Sequence, residues 1–478
     1  MGVVRRHVEL DKSTMLGVTV LGGIVTAVLL LIQMAATPAG ADTMEAALLR
    51  AYQTNPQLNA QRASVRATDE IVPQALSGYR PKVAVTASGG GQFTNQLTNG
   101  SGGGKRIEEG PQGPHAVGAT LTQTLFNGNQ TANKTRAAES QVLGAREGLR
   151  LLEQSVLLAA ATIYMDYLRD AAILEVQRSN TKVLEQTLRQ TRDRYSAGLV
   201  TPTDVAQSQA QLAAGRTQEL AAEATLTTTR ANFRRIIGNE PEQLAPASPV
   251  DRYLPETLQG AVDLGLAENP NVTAAMFGID VDFLNVKVNE GALFPTVTLI
   301  ASVQKTWQQT ITQIRQFNAS AVAQVSVPIY QGGAEYSLIR QSKENLEQQR
   351  LNLEQVRDQA RADLVTAWGQ LLAGKAQIAS SQAQVSASEI ALKGTRQEAS
   401  VGQRTVLDVL NAQQALVNAR VALVTAQHDR VVASYAVLSA VGRLSPSVLH
   451  LATPIYDPGV HYHQVRDDRF GVRTPDGR

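Results

Sequence analysis

Residues 121–128 read Leu-Thr-Gln-Thr-Leu-Phe-Asn-Gly, and residues 327–333 read Val-Pro-Ile-Tyr-Gln-Gly-Gly. The aromatic–amide–glycine step of the first, Phe126-Asn127-Gly128, returns as Tyr330-Gln331-Gly332, 204 positions later. The same offset of 204 relates Gly198 to Gly402, Asp204 to Asp408, Gln209 to Gln413, Leu212 to Leu416 and Ile237-Gly238 to Val441-Gly442. Upstream, Asn55-Pro56 reappears as Asn269-Pro270 and Pro81 as Pro295, each 214 apart. Matches held at fixed offsets over so long a span mark an internal duplication. The offset changes between Pro81 and Phe126, so the first copy carries the longer loop there.

Each copy has the same order of elements. A helix opens it, about 43–79 and then 256–292, and a pair of strands follows. Val83, Val85 and Ala87 alternate with other residues, as do Val117, Ala119 and Leu121. The second copy repeats this with Val297, Leu299, Ala301 and Val303, then Ala321, Ala323, Val325 and Val327. A period of two gives each strand one apolar and one wet side. The segments between the strands, about 94–115 and 308–317, are polar, and the first is rich in Gly and Ser, so both read as loops. No proline interrupts 115–201 or 329–445, which admits helices over about 128–196 and 333–400. At 1.5 Å per residue each is about 100 Å long. Short turns lead to return helices, about 203–237 and 405–441. Helices of this length lie side by side in a bundle or tube.

The chain therefore divides into a leader (1–41), a first repeat (42–238, hairpin 82–126), a linker (239–255), a second repeat (256–442, hairpin 295–330) and a tail (443–478). Pro241, Pro246, Pro249 and Pro255 make the linker irregular, and the tail is expected to be loosely ordered and dispensable to the fold. In the leader, Arg5, Arg6 and Lys12 precede an apolar run from about Met15 to Ile32, and Ala39-Gly40-Ala41 offers a small-x-small cleavage site. This reads as a secretion signal, with an uncleaved anchor as the alternative. No second apolar run of that length follows, so a membrane-inserted form of the chain would have to be a β-barrel.

Composition narrows the function. With 44 Lys+Arg against 42 Asp+Glu there is no broad basic surface for nucleic acid. With no cysteine there are no disulfides, thiolate metal sites, cysteine nucleophiles or lipid-modified cysteine. No phosphate-binding loop, nucleophile elbow or helical His pair occurs, so no catalytic residue, cofactor or metal site is assigned. Runs such as Glu344, Glu347, Arg350, Glu354 and Arg357 form the solvated face of a helix, and His461 and His463 belong to the tail. Four strands with apolar outer faces cannot close alone in lipid, so several copies must share one barrel. The aromatics fit such a placement. Tyr79, Phe294, Phe126 and Tyr330 bracket the strands at one end, while Phe93, Trp307 and Phe317 lie toward the loops, as in an interfacial belt.

On these residues the chain resembles the TolC family of outer-membrane channels, over essentially all of about 45–442. The resemblance is carried by Asn55-Pro56, by 121–126 and 327–333, and by the helical turns 198–205 and 401–410. It implies an α+β membrane protein: a homotrimer with a 12-stranded outer-membrane β-barrel continued by a long 12-helix periplasmic α-barrel, two tandem repeats per protomer. It also implies an export duct, for efflux or type I secretion, that docks on a periplasmic adaptor (membrane fusion) protein and an inner-membrane pump of ABC or RND type. By position, Asp408 matches the aspartate ring that narrows the periplasmic tip, and Arg404 the tie between neighbouring hairpins, with Thr203 and Asp204 as its partners. Helix capping is the competing reading for Arg404, Asp204 and Asp408. Gly198, Leu199, Val401 and Gly402 match the tip grooves that receive the adaptor. Two departures stand out: a second ring aspartate is Asn411 here, and a tyrosine of the closing network is Ala399. The rival class, a periplasmic coiled-coil adaptor without a pore, has no need for two amphipathic hairpins.

Overall fold

The computed structural model describes residues 42–99, 104–311 and 313–477; the leader lies outside them. Helices α1 (Met44–Thr54), α2 (Pro56–Asp69) and α3 (Ile71–Leu76) lead into strands β1 (Lys82–Gly89), β2 (Gln92–Asn99), β3 (Lys105–Gln112) and β4 (His115–Asn127). The long helix α4 (Gln130–Ser196) turns back into α5 (Pro202–Ile237). The second copy runs α6 (Leu258–Glu268), α7 (Pro270–Gly291), β5 (Thr296–Trp307), β6 (Arg315–Ser326), α8 (Ala334–Ser400) and α9 (Val406–Val441), and a short α10 (Gly459–Val465) closes the chain. Both long helices have 67 residues and both return helices 36, so the duplication extends to helix length.

The opening helix of each copy is not continuous, contrary to the expectation from sequence. It breaks at Asn55-Pro56 and Asn269-Pro270. Proline lacks the N–H that would continue the helix and drives the preceding residue out of the helical region. Asn55 and Asn269 accordingly take extended backbone and cap the next helix, accepting from the N–H groups of Gln57 and Leu58 and of Asn271. Their side-chain amides reach the other way, to the last turns of the return helices: Asn55 Nδ2 to Ile236 O at 3.4 Å and Asn269 Nδ2 to Ala440 O at 3.0 Å. One residue in each copy thus starts a helix and pins the end of another.

Along its lower half α4 packs on α5, and along its upper half on α1–α3 and α7; α8 packs on α9 and α7 in the same way. The two halves meet where α7 and α9 lie against α4, and where β4 pairs with β5. The largest apolar core sits at this waist, with Leu48, Tyr52, Leu157, Tyr164, Phe233, Ile237 and Leu438 all at 2 % exposure or less. Tyr164 Oη lies 2.7 Å from the backbone oxygens of both Asp42 and Ala245, which ties the chain start and the linker to α4.

The tail is part of this core, which corrects the expectation of a loose segment. Leu444, Leu449 and Leu451 are buried in the waist cluster. Farther on, Tyr456 and Tyr52 sandwich the Arg62 guanidinium at 5.1 and 4.5 Å. His461 Nδ1 meets the fully buried Asp69 carboxylate at 3.0 Å. The linker packs as well, through a bridge between Asp42 and Leu244 and an arginine–carboxylate pair between Arg430 and Asp251.

The strands form one antiparallel sheet in the order β1-β4-β5-β6. Val83 faces Leu121, Leu121 faces Ala301 and Ala301 faces Ala321, so the alternating apolar residues of all four strands share one side. Thr86, Gly118, Gln304 and Asn318 share the other. The polar segment read as a loop over 94–115 is instead largely a β-ribbon, β2 paired with β3. Register runs through from the sheet: Gly89 faces His115, and three residues farther Gln92 faces Gln112. The ribbon is the β1–β4 hairpin continued past the point where β5 and β6 end, at Trp307 and Arg315.

Candidate functional site

At the far end of the long helices two turns project. Gly198 (φ +71°) and Gly402 (φ +83°) sit in left-handed backbone that L side chains rarely adopt, and this permits each tight reversal. The next helices start with capping boxes. Asp204 Oδ2 accepts from Thr201 N at 2.9 Å and Thr201 Oγ1 at 2.8 Å, and Thr201 Oγ1 accepts from Asp204 N at 3.3 Å. Thr405 and Asp408 repeat this at 2.9, 2.9 and 3.2 Å. The Thr-x-x-Asp spacing is a capping signature legible in sequence. The Asp408 carboxyl is held below its usual pKa by the Thr405 backbone N–H first and the Thr405 hydroxyl second.

Arg404 does not reach Thr203 or Asp204 within this protomer, the pairing expected from sequence. Its Nε donates to Glu398 Oε2 at 2.9 Å, inside its own hairpin, and Asp204 is engaged in its capping box. The reason is proximity: Glu398 sits at the end of α8, across the same turn, whereas Thr203 and Asp204 lie in the first turn of α5, in the other hairpin. Glu398 raises the Arg404 pKa through its hydrogen bond. Leu199 and Val401 are 73 % and 71 % exposed, unusual for apolar side chains on a turn. Asn411 is exposed one turn into α9, and Ala399 lines a cleft between the hairpins with Val183, Thr187 and Val406.

Above the tips the hairpins are joined by a polar chain, buried at Gln413 and Asn180 and exposed at Arg396, that sequence reading missed. Arg396 Nη2 donates to Gln413 Oε1 at 2.8 Å, and Gln413 Nε2 donates to Asn180 Oδ1 at 3.1 Å. It links α8, α9 and α4. Polar residues on an otherwise apolar helix seam are its only sequence signal.

At the opposite end, Tyr79, Phe126, Phe294 and Tyr330 are all exposed where the sheet meets the helices. Phe317 and Trp307 lie at the far rim, and Trp307 stacks on His115 with centroids 5.0 Å apart. Phe93 is not level with them but on the ribbon, four residues beyond the end of β1.

The profile of the family described as "Outer membrane efflux protein" matches residues 47–239 and 261–443, one match for each repeat. The Outer membrane efflux protein BepC of Brucella suis is 39 % identical over 441 residues, covering 91 % of this chain and 93 % of that protein. Outer membrane protein TolC of Vibrio cholerae is 24 % identical over 416 residues, covering 83 % and 90 %. Among solved structures, the Campylobacter jejuni CmeC outer membrane channel superposes with a TM-score of 0.74 at 15 % identity, covering 89 % of each chain. CusC superposes at 0.73 and 16 % identity, covering 85 % of this chain and 95 % of that one, and shows the same fold. The profile and the sequence relatives, on a fold these structures share, define the class as a channel protein of the TolC kind. The chain belongs to the outer membrane efflux protein family. Its place is the outer membrane and its role is transport, not catalysis.

Proposed function

We propose that three copies of this chain close into one passive duct that carries material delivered by an inner-membrane pump across the periplasm and outer membrane. The observation that carries this reading is the sheet. It is apolar on one side and polar on the other, and the outer edges of β1 and β6 are unpaired among the described residues. Unpaired backbone in lipid costs several kcal/mol per group, so β1 of one copy must meet β6 of the next. Three copies of four strands give twelve, within the range of closed outer-membrane barrels. The apolar side then faces lipid between two aromatic rows, and the paired long helices continue the wall as a periplasmic tunnel.

In this arrangement the two turns of each copy surround the periplasmic aperture. Asp408 supplies a ring of carboxylates, which favours cations, and Asn411 lowers the charge of the next level. Arg404 ties the aperture by exchanging Glu398 for Thr203 and Asp204 of a neighbouring hairpin as the tip closes. The exposed Leu199 and Val401, beside Gly198 and Gly402, offer apolar purchase to a periplasmic adaptor. The pump is of ABC or RND type; related chains include an efflux protein and the Alkaline protease secretion protein AprF of Pseudomonas aeruginosa.

The test is single-channel conductance of purified oligomers in planar bilayers, before and after Asp408→Ala. Cation-favouring steps that lose selectivity in the variant support both pore and ring. Silent bilayers from intact oligomers count against the duct.

A further inference from the structure

We propose that the outer rim of the sheet is a seat for a phosphorylated lipid of the surrounding leaflet; the proposal rests on the reading above that the apolar side faces lipid. Register places Lys305 opposite Phe317, and Trp307 opposite both His115 and Arg315, all on the side that carries Val303 and Ala319. Trp307 is the centre of the group. His115 stacks on it with rings 13° from parallel, and Lys305 Nζ lies 5.1 Å from its ring centroid. Lys305 and Arg315 are both exposed, and neither has a carboxylate partner among the described residues. The next carboxylate on that side is Glu109, on the ribbon six residues beyond His115, and Asn95 already holds it at 3.1 Å. Two cations therefore flank an aromatic platform with no acid beside them.

Directly below lies an open depression of about 510 Å³. Ala119, Ala301, Ala319 and Ala321 form its floor, with Val83, Leu121 and Val303 around it. Val303 and Ala319 are two residues from Lys305 and Phe317, about 7 Å at 3.4 Å per residue. Small side chains leave room for an acyl chain against the sheet, and the cations above meet the phosphate where that chain ends. Lys and Arg both bind phosphate oxygens by charge-assisted hydrogen bonds, and an indole suits the boundary between the two zones. The missing carboxylate disfavours headgroups that carry an amine. Inorganic phosphate shares the head chemistry but has no use for the depression.

The experiment is native mass spectrometry of the detergent-purified protein with diphosphoryl lipid A, alone and with excess inorganic phosphate. The expected result is retained lipid that phosphate does not displace. Retention should fall roughly 30-fold in Lys305→Gln/Arg315→Gln, the effect of two cations at a membrane surface, and return in Lys305→Arg/Arg315→Lys. Ala301→Leu/Ala319→Leu, which fills the depression and keeps the charges, should also lower it. Equal retention in the charge-neutral variant overturns the seat. Displacement by phosphate, with the filled variant unaffected, overturns the lipid in favour of a simple anion site. Quenching of Trp307 by brominated acyl chains, in a Trp368→Phe background, separates the two layers of the argument. No quenching means the lipid-facing reading itself fails; quenching without retained lipid A means that only the seat fails.

Discussion

Asn269→Ala is the perturbation that probes the repeat most directly. The side chain is 8 % exposed and works in two directions. Its oxygen accepts from Asn271 N at 2.9 Å to start α7, and its amide donates to Ala440 O at 3.0 Å to satisfy the last turn of α9. Loss of an N-cap costs about 1 kcal/mol. Leaving a buried carbonyl without its donor costs about 1–3 kcal/mol. The sum for Asn269→Ala is about 2–4 kcal/mol per chain, a fall in melting midpoint on the order of 5 °C. Asn269→Ser keeps the cap acceptor and loses only the reach to α9, so about half the effect should remain. Asn55→Ala should be milder, about 1 kcal/mol, because Asn55 is only half-buried and its amide stands 3.4 Å from Ile236 O. The assay is thermal unfolding followed by far-ultraviolet circular dichroism, with oligomer survival in detergent measured alongside. The reasoning fails if Asn55→Ala is as damaging as Asn269→Ala, or if serine is no better than alanine.

Three further outcomes are expected. Ending the chain after Arg443 removes Leu444, Leu449 and Leu451 from the waist core, each worth about 2–5 kcal/mol, and should abolish recovery of folded protein; ending it after Asp468 should leave the melting midpoint unchanged. His428 is nearly buried, and although burial pushes its pKa down, the carboxylates of Asp166 and Asp429 outweigh that and the neighbouring Arg169, so the net shift is upward. Its contribution is therefore complete below the unfolded value of 6.5 and lost as pH rises through the higher folded value, so the midpoint difference between the protein and His428→Gln should be largest below about pH 6 and shrink in alkali. Arg404→Ala should raise resting conductance, and unchanged conductance would remove Arg404 from the proposed lock.

Much of the helical frame could be read from the chain because its constraints are local. Proline-free runs bound α4 and α8, and Gly238 and Gly442, both at positive φ, end α5 and α9 where the last periodic residues fall. The Asn-Pro breaks are equally local, since a proline ends a helix at the residue before it whatever the periodicity on either side. The ribbon is a different matter. Phe93, Leu97 and Ile107 are all more than half exposed, so no burial enforces a pattern there, and Gly89-Gly90-Gly91, Pro111 and Pro114 punctuate it like a loop. What holds β2 to β3 is the register inherited from β1 and β4, a non-local cause. The order of the tail is not legible for a related reason: Leu444, Leu449 and Leu451 are too sparse for a periodic signal, and their burial depends on a core formed by distant helices. At the tip the capping boxes were legible, but the Arg404 partner was not, because Glu398 and the other hairpin compete for one guanidinium and only geometry decides.

The two copies diverge in an informative way at that tip. Thr201 and Asp204 repeat as Thr405 and Asp408, so both turns are braced identically by their caps. The ion pair is not repeated: the positions that match Arg404 and Glu398 are Val200 and Arg194, which cannot form it. Each protomer therefore presents one hairpin with a salt-linked turn and one without. An exposed pair of this kind is screened by solvent and contributes little beside the apolar cores higher up the helices. A movable partner on a rigidly capped turn can exchange one carboxylate for another without unfolding the helix beneath it. On the proposed reading, that asymmetry puts the moving part of the aperture in the second hairpin and leaves the first as its fixed stop.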